Sequence, residues 1–206
     1  IYSKLRFICS AFLILVLLMN TVSANESSIR VVTSFSILED LVNKLGGEHV
    51  VVVNLVARNQ DAHTYRPKPS DVVAISKADL VVFNGLAFEG WITRLIENSG
   101  YKNKQLIASD GVNAIRNGEE VDPHAWQSFD NIRVYIQNIT HTLITLRPQH
   151  RDDFIQRQQQ YLNTLNALEN KLLKQLAGVP QNKRIVVTSH DAFGYLEREF
   201  NIRFLA

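Results

Sequence analysis

Three histidines stand in loops beside carboxylates and aromatic residues, a setting suited to holding a metal ion. His63 lies in Asp61-Ala62-His63-Thr64-Tyr65-Arg66-Pro67 and His124 in Asp122-Pro123-His124-Ala125-Trp126. His190 lies in Thr188-Ser189-His190-Asp191-Ala192-Phe193-Gly194-Tyr195. Neutral imidazole is a good ligand for Zn²⁺, Cu²⁺ and Fe²⁺, and a carboxylate can hold the outer N–H of a ligating ring. Each histidine has such a carboxylate within two residues, namely Asp61, Asp122 or Asp191. The spacing alone does not reveal a site. The histidines are 61 and 66 residues apart, unlike the compact spacing of zinc fingers, and a single loop histidine is ordinarily solvated or a cap. What groups them is the elements that precede them.

From Ile29 onward, β-branched runs alternate with helical patterns. Strands are expected at 29–33, 50–56, 80–83, 104–108, 184–188 and 202–205, and the unbroken apolar run 50–56 suggests a strand buried on both faces. Helices are expected from Ser36, with Glu39 completing a capping box, to Gly46-Gly47, and then over 70–78, 87–98, 128–146 and 191–200. Between Pro148 and Gly178 nothing interrupts a helical pattern whose apolar positions are Phe154, Tyr161, Leu165, Leu168, Leu172 and Leu176. Strands alternating with helices indicate an α/β fold with a doubly wound parallel sheet. His63 and His190 then follow strand ends, and His124 precedes a helix at the same edge, where open α/β sheets bind ligands.

The long helix divides the chain. It is expected to join an N-terminal α/β lobe, residues 25–147, through a linking segment, 148–179, to a second lobe that begins at 180–206. One strand, one helix and a strand start cannot bury a sheet, so the sequence reads as a C-terminally truncated piece of a two-lobed protein, with the second lobe largely missing. A start at Ile1 instead of Met likewise suggests an incomplete reading frame.

Residues 1–24 read as a cleaved export signal. Lys4 and Arg6 precede an apolar run from Phe7 to Met19, and Val22-Ser23-Ala24 offers a small-residue cleavage point. The run is too short for a membrane span of about 20 residues. Cys9, the only cysteine, sits inside it and not at the junction, which argues against lipid anchoring. The mature chain would carry no thiol, and so no disulfide and no cysteine nucleophile. Across 206 residues there are 22 Lys+Arg and 20 Asp+Glu. Removing Lys4 and Arg6 balances the charges, which argues against nucleic acid as a partner. A hydrophobic content of 46% with 20% charged residues supplies a core and speaks against disorder.

Taken together, the three histidine motifs, Pro69-Ser70-Asp71, the export signal and the long helix resemble the periplasmic zinc/manganese-binding receptors of ABC importers, the cluster A-I solute-binding proteins. The resemblance spans residues 29–206. It implies a two-lobed fold with parallel sheets joined by a rigid helix, and a metal held between the lobes by His63, His124 and His190. A fourth ligand, usually Asp, would lie beyond residue 206. It further implies a monomeric periplasmic receptor that passes a divalent transition metal to a membrane permease. Zn²⁺ is favoured and Mn²⁺ is the alternative. Many zinc-selective members carry a His-rich loop between the first two ligands, and Glu89–Asp122 has no histidine. Manganese-selective members often have Glu where this chain has His190, and three nitrogens favour the borderline metal.

The rival from a different class is an exported zinc metallohydrolase, with an open metal position for water and Glu89, Glu119 or Glu120 as general base. A Ser189-His190-Asp191 nucleophilic site is weaker, because sequence neighbours point different ways. An adhesin on the same fold is a third reading. His49, His141 and His150 are expected to be structural or solvated. Trp126 and Tyr65 either shape the metal pocket or simply pack.

Overall fold

The computed structural model describes residues 27–206, so the expected export signal and Cys9 lie outside the described residues. Four parallel strands form the main sheet: β1 (Ile29–Phe35), β2 (Val50–Val56), β3 (Leu80–Phe83) and β4 (Lys104–Ile107). Their spatial order is β2-β1-β3-β4, with Val31 opposite both Val52 and Leu80. The chain winds to one side of β1 and then crosses to the other. Such a reversal opens a crevice beyond the carboxyl ends of β1 and β3.

Alternate residues of β1 serve two cores. Val31 faces helices α1 (Ser36–Gly46) and α4 (Phe129–Leu146), and Val32 faces α2 (Pro69–Ser76) and α3 (Ile92–Asn98). Helix α1 buries Leu38, Leu41, Val42 and Leu45, a stripe with spacings of three and four. Each such side chain contributes about 1.5–3 kcal/mol by leaving water. The capping box expected at Ser36 and Glu39 does not form, since helix α1 starts at Ser36 itself and has no side-chain cap. Ser128 does cap α4, its hydroxyl accepting from the Asn131 amide at 3.2 Å. Strand β2 also departs from expectation. It is an edge strand, and Val51 and Val53 are 55% and 47% exposed, because α2 and α3 pack over Val32, Leu55 and Val81 instead.

The helix expected from Ala87 starts only at Ile92. Gly85, Leu86 and Ala87 take φ values of 83°, 53° and 61°, a left-handed turn that costs non-glycine residues about 1–2 kcal/mol each. A buried carboxylate holds it. Glu89 accepts from the Ser34 hydroxyl and from the amides of Asn84 and Gly85. Asn84 in turn accepts from the Tyr135 hydroxyl and donates to the Pro123 carbonyl at 2.9 Å. The network thus joins β1, the turn, α4 and the residue before His124. Burial pushes the Glu89 carboxyl above its usual range, and the bonds from Ser34, Asn84 and Gly85 only partly offset it. Glu89→Gln turns an amide NH₂ against one of these donors, so it is expected to destabilise the fold by about 1–3 kcal/mol. A urea midpoint equal to that of the parent would contradict this account.

Beyond a small hairpin of β5 (Arg116–Asn117) and β6 (Glu120–Val121) and α4, the chain enters α5 (Arg151–Ala177). Its 27 residues give a length of about 40 Å. Its foot is fixed in the lobe. Phe154 is fully buried, and His49 pairs with Asp153 at 2.8 Å while stacking on His150 at 4.0 Å. Arg157 also donates to Asp153, at 3.0 Å, and this bond, with His49 adding to it, holds that carboxyl below its usual range. Farther along, Leu168 and Leu173 are about half exposed. Strand β7 (Ile185–Val187) and strand β8 (Arg203–Leu205) then form a parallel pair around α6 (Gly194–Phe200). Among the described residues no helix is long and apolar enough to cross a membrane.

Candidate metal centre

The loop after β2 carries His63. Asp61 shapes it by accepting from the His63 amide at 2.8 Å and from the Thr64 hydroxyl at 2.9 Å, a short Asx-type turn. The His63 amide and the Thr64 hydroxyl hold the Asp61 carboxyl below its usual range. Asp61 therefore fixes the backbone of His63 and not its ring. Phe88, presented by the left-handed turn, packs edge-on against the His63 ring at 4.5 Å.

His124 sits at the start of the segment leading into α4 and is 5% exposed. Its Nδ1 lies 2.7 Å from Asp122 Oδ1, and its amide donates to the same oxygen at 2.9 Å. Burial opposes ionisation of Asp122, but these two bonds outweigh it and hold the carboxyl below its usual range. An ionised Asp122 places the proton on Nδ1 and leaves the Nε2 lone pair of His124 free. That lone pair points at His63, with the two Nε2 atoms 3.2 Å apart.

His190 comes from the loop after β7 and is exposed. Its ring centroid lies 5.8 Å from that of His63 and 5.3 Å from that of His124. One ligand nitrogen from each of the three rings can be chosen so that all lie within 4.8 Å of one another. Two nitrogens bound at about 2.0–2.1 Å to one tetrahedral ion stand roughly 3.4 Å apart. The His63–His124 pair already has that separation, and the set of three, whose atoms all lie within 4.8 Å, would contract around an ion. Burial, with the neighbouring His124 and His190 rings, lowers the His63 pKa against the pull of Asp61. The ring is thereby kept in its neutral, ligating form.

The three rings line a cavity of about 300 Å³ whose other walls include Phe35, Phe88 and Trp126. These aromatics pack on one another at 4.8–5.0 Å, and Trp126 lies 5.4 Å from His124. Tyr65 stands apart, bonding Asp71 at 2.8 Å and packing on Trp91. A larger cleft of about 770 Å³ borders His63 but neither of the other two histidines.

Of the three aspartates considered, only Asp122 reaches an imidazole, and Asp191 makes no hydrogen bond to His190. The groups a hydrolase would need are elsewhere. Both oxygens of Glu89 are occupied by internal donors, and Glu119 and Glu120 lie on the exposed β5–β6 hairpin. No bond joins Ser189 to His190. Sequence reasoning gave no role to Phe88 or Tyr195. The signal available for Tyr195 was its place in the third histidine motif.

Comparison with known proteins places the chain in a family. Residues 31–206 match the family described as zinc-uptake complex component A, periplasmic. The metal ABC transporter substrate-binding lipoprotein SsaB of Streptococcus sanguinis is 32% identical over 87% of this chain. The chain spans 62% of that relative's length, a little under two thirds. The manganese-bound periplasmic metal-binding protein of Candidatus Liberibacter asiaticus superposes with a TM-score of 0.79 at 31% identity, covering 86% of this chain and 68% of that one. A crystal structure of ZnuA superposes with a TM-score of 0.81 at 27% identity, covering 87% and 70%. With its parallel sheet, long helix and three converging histidines, the chain belongs to the zinc-uptake component A (ZnuA) family of periplasmic proteins.

Proposed function

We propose that this chain is part of an extracytoplasmic receptor that binds a divalent transition metal and delivers it to the membrane permease of an ABC importer. The observation that carries the reading is the convergence of His63, His124 and His190 from three distant loops, with Asp122 fixing the tautomer of the most buried ring. On this reading the three imidazoles are ligands to the cargo ion, and residues 25–147 and 180–206 belong to two lobes linked by 148–179. A further carboxylate beyond residue 206 would complete the shell, and the receptor acts as a monomer.

Zinc is the favoured cargo and manganese the alternative. The three donors on this chain are all nitrogen, which suits zinc, whereas manganese prefers oxygen. Support for the class comes from the family match and from relatives named for metal transport, among which both zinc and manganese occur. The test is elemental analysis of protein purified from its export compartment without chelators, followed by calorimetry with Zn²⁺ and Mn²⁺. Stoichiometric zinc with tighter zinc binding is expected. Absence of any bound transition metal, with no heat from either ion, would remove the receptor reading.

Asp122→Ala is expected to lower zinc affinity about 10- to 100-fold, the usual cost of losing the partner of a ligating histidine. Competition against a chelator of known affinity measures it. Rapid turnover of ester or peptide substrates by the zinc-loaded protein would instead favour the hydrolase.

A further inference from the structure

The two later ligand loops are tied together by a side chain that touches neither imidazole. Tyr195 opens α6, four residues after Asp191, and is completely buried although it follows an exposed loop. Its hydroxyl donates to the Asp122 carbonyl at 2.7 Å and accepts from the Ile115 amide at 3.1 Å. Asp122 is the residue whose carboxylate orients His124. The preceding residue adds a second contact at the same place. A Cβ built on Gly194 would lie 3.1 Å from Asp122 Oδ2, so glycine is what lets α6 approach this carboxylate so closely. Two further bonds hold α6 down. Glu199 accepts from the Phe129 amide at 3.0 Å and Arg198 donates to the Asn113 carbonyl at 3.2 Å.

We infer that Tyr195 is a positioning residue for metal capture, clasping the His190 loop to the Asp122–His124 loop so that the rings are presented as one preassembled set. This rests on the receptor reading above and deepens it. The physical argument is preorganisation. His190 stands on an exposed loop, and without a second attachment its position relative to His124 is set only through α5, some 40 Å of helix. The Tyr195 hydroxyl fixes Asp122 by its backbone, and the backbone fixes the carboxylate that sets the His124 tautomer. Losing the hydroxyl leaves the ring packing and the Glu199 and Arg198 bonds in place but removes the bond that ties α6 directly to the Asp122 backbone.

The experiment is Tyr195→Phe, which keeps the buried ring, read by stopped-flow zinc release to a chelator. A rise of about five- to tenfold in the dissociation rate is expected, the equivalent of roughly one hydrogen bond. Gly194→Ala, which pushes on the Asp122 carboxylate without touching Tyr195, is expected to raise the rate as well.

A double-mutant cycle separates positioning from general stability. In an Asp122→Ala background the Tyr195→Phe effect on release should shrink, since the part that acts through the Asp122 carboxylate is gone while the bond to the main-chain carbonyl remains. The ligand-field spectrum of the Co²⁺-loaded Tyr195→Phe protein should also shift. Unchanged release in both variants, or full additivity with Asp122→Ala, overturns the assignment. Failure of the parent protein itself to bind zinc would instead strike the receptor reading.

Discussion

His124→Ala is expected to weaken zinc binding by more than the roughly hundredfold that loss of an outer partner costs, while leaving the fold intact. The reasons are geometric. His124 is the most buried of the three rings and the one with a fixed tautomer, and its Nε2 stands 3.2 Å from that of His63. Removing it takes away the shared corner of the set. The pair left behind, His63 and His190, is partly or fully exposed to solvent and has no carboxylate on either ring. The gap would border Phe88 and Trp126 at the edge of one core, while the second core, around Val32 and Val81, lies elsewhere. Calorimetry with zinc, paired with a thermal melt of the metal-free protein, checks both halves. Unchanged affinity would remove His124 from the ligand set. A collapsed melt would show that the ring is chiefly structural.

The second large effect concerns stability. Phe154→Ala is expected to destabilise the protein by about 3–5 kcal/mol, the usual range for emptying a buried aromatic site. Phe154 is fully buried, packs edge-on against His49 at 5.4 Å, and is the one buried residue of α5. Its neighbours cannot readily collapse into the gap, because His49 is held by Asp153 and stacked on His150. Chemical denaturation should show a lower midpoint with little change in slope. A loss under about 1 kcal/mol would mean that α5 is fixed to the lobe by its ion pairs instead, although exposed pairs are worth that little themselves.

Much of the architecture was legible because local and global signals agree. The order of strands and helices followed from β-branched runs alternating with helical spacing, and the length of α5 followed from the absence of Gly or Pro between Pro148 and Gly178. The misreadings have physical causes. An unbroken apolar run does not say whether a strand is central or at an edge, so Val51 and Val53 read as buried. The late start of α3 depends on Glu89 folding back onto amides upstream, a tertiary bond that no helical periodicity records. At the site, the three histidines were legible through their motifs, but the roles of the aspartates were not. Asp61 and Asp122 each stand two residues before a histidine and Asp191 one residue after, and only the backbone conformation decides which carboxylate meets a ring. Tyr195 escaped for a related reason, since its partner is a main-chain carbonyl 73 residues away.

The length of α5 has a mechanical consequence. The helix is held to the first lobe well along its length, by Phe154 at the foot, by Tyr161, Leu162 and Leu165 against the core and by Arg133 bonding Asn166 and Glu169. Beyond Glu169 it is a lever of roughly 12 Å, on which a tilt of about 5° carries the tip about 1 Å, whereas coordination tolerates errors of roughly 0.2 Å. Bracing the far end back onto the first lobe through α6 turns the lever into a triangulated strut, in which the long member sets the span and the short brace sets the precision.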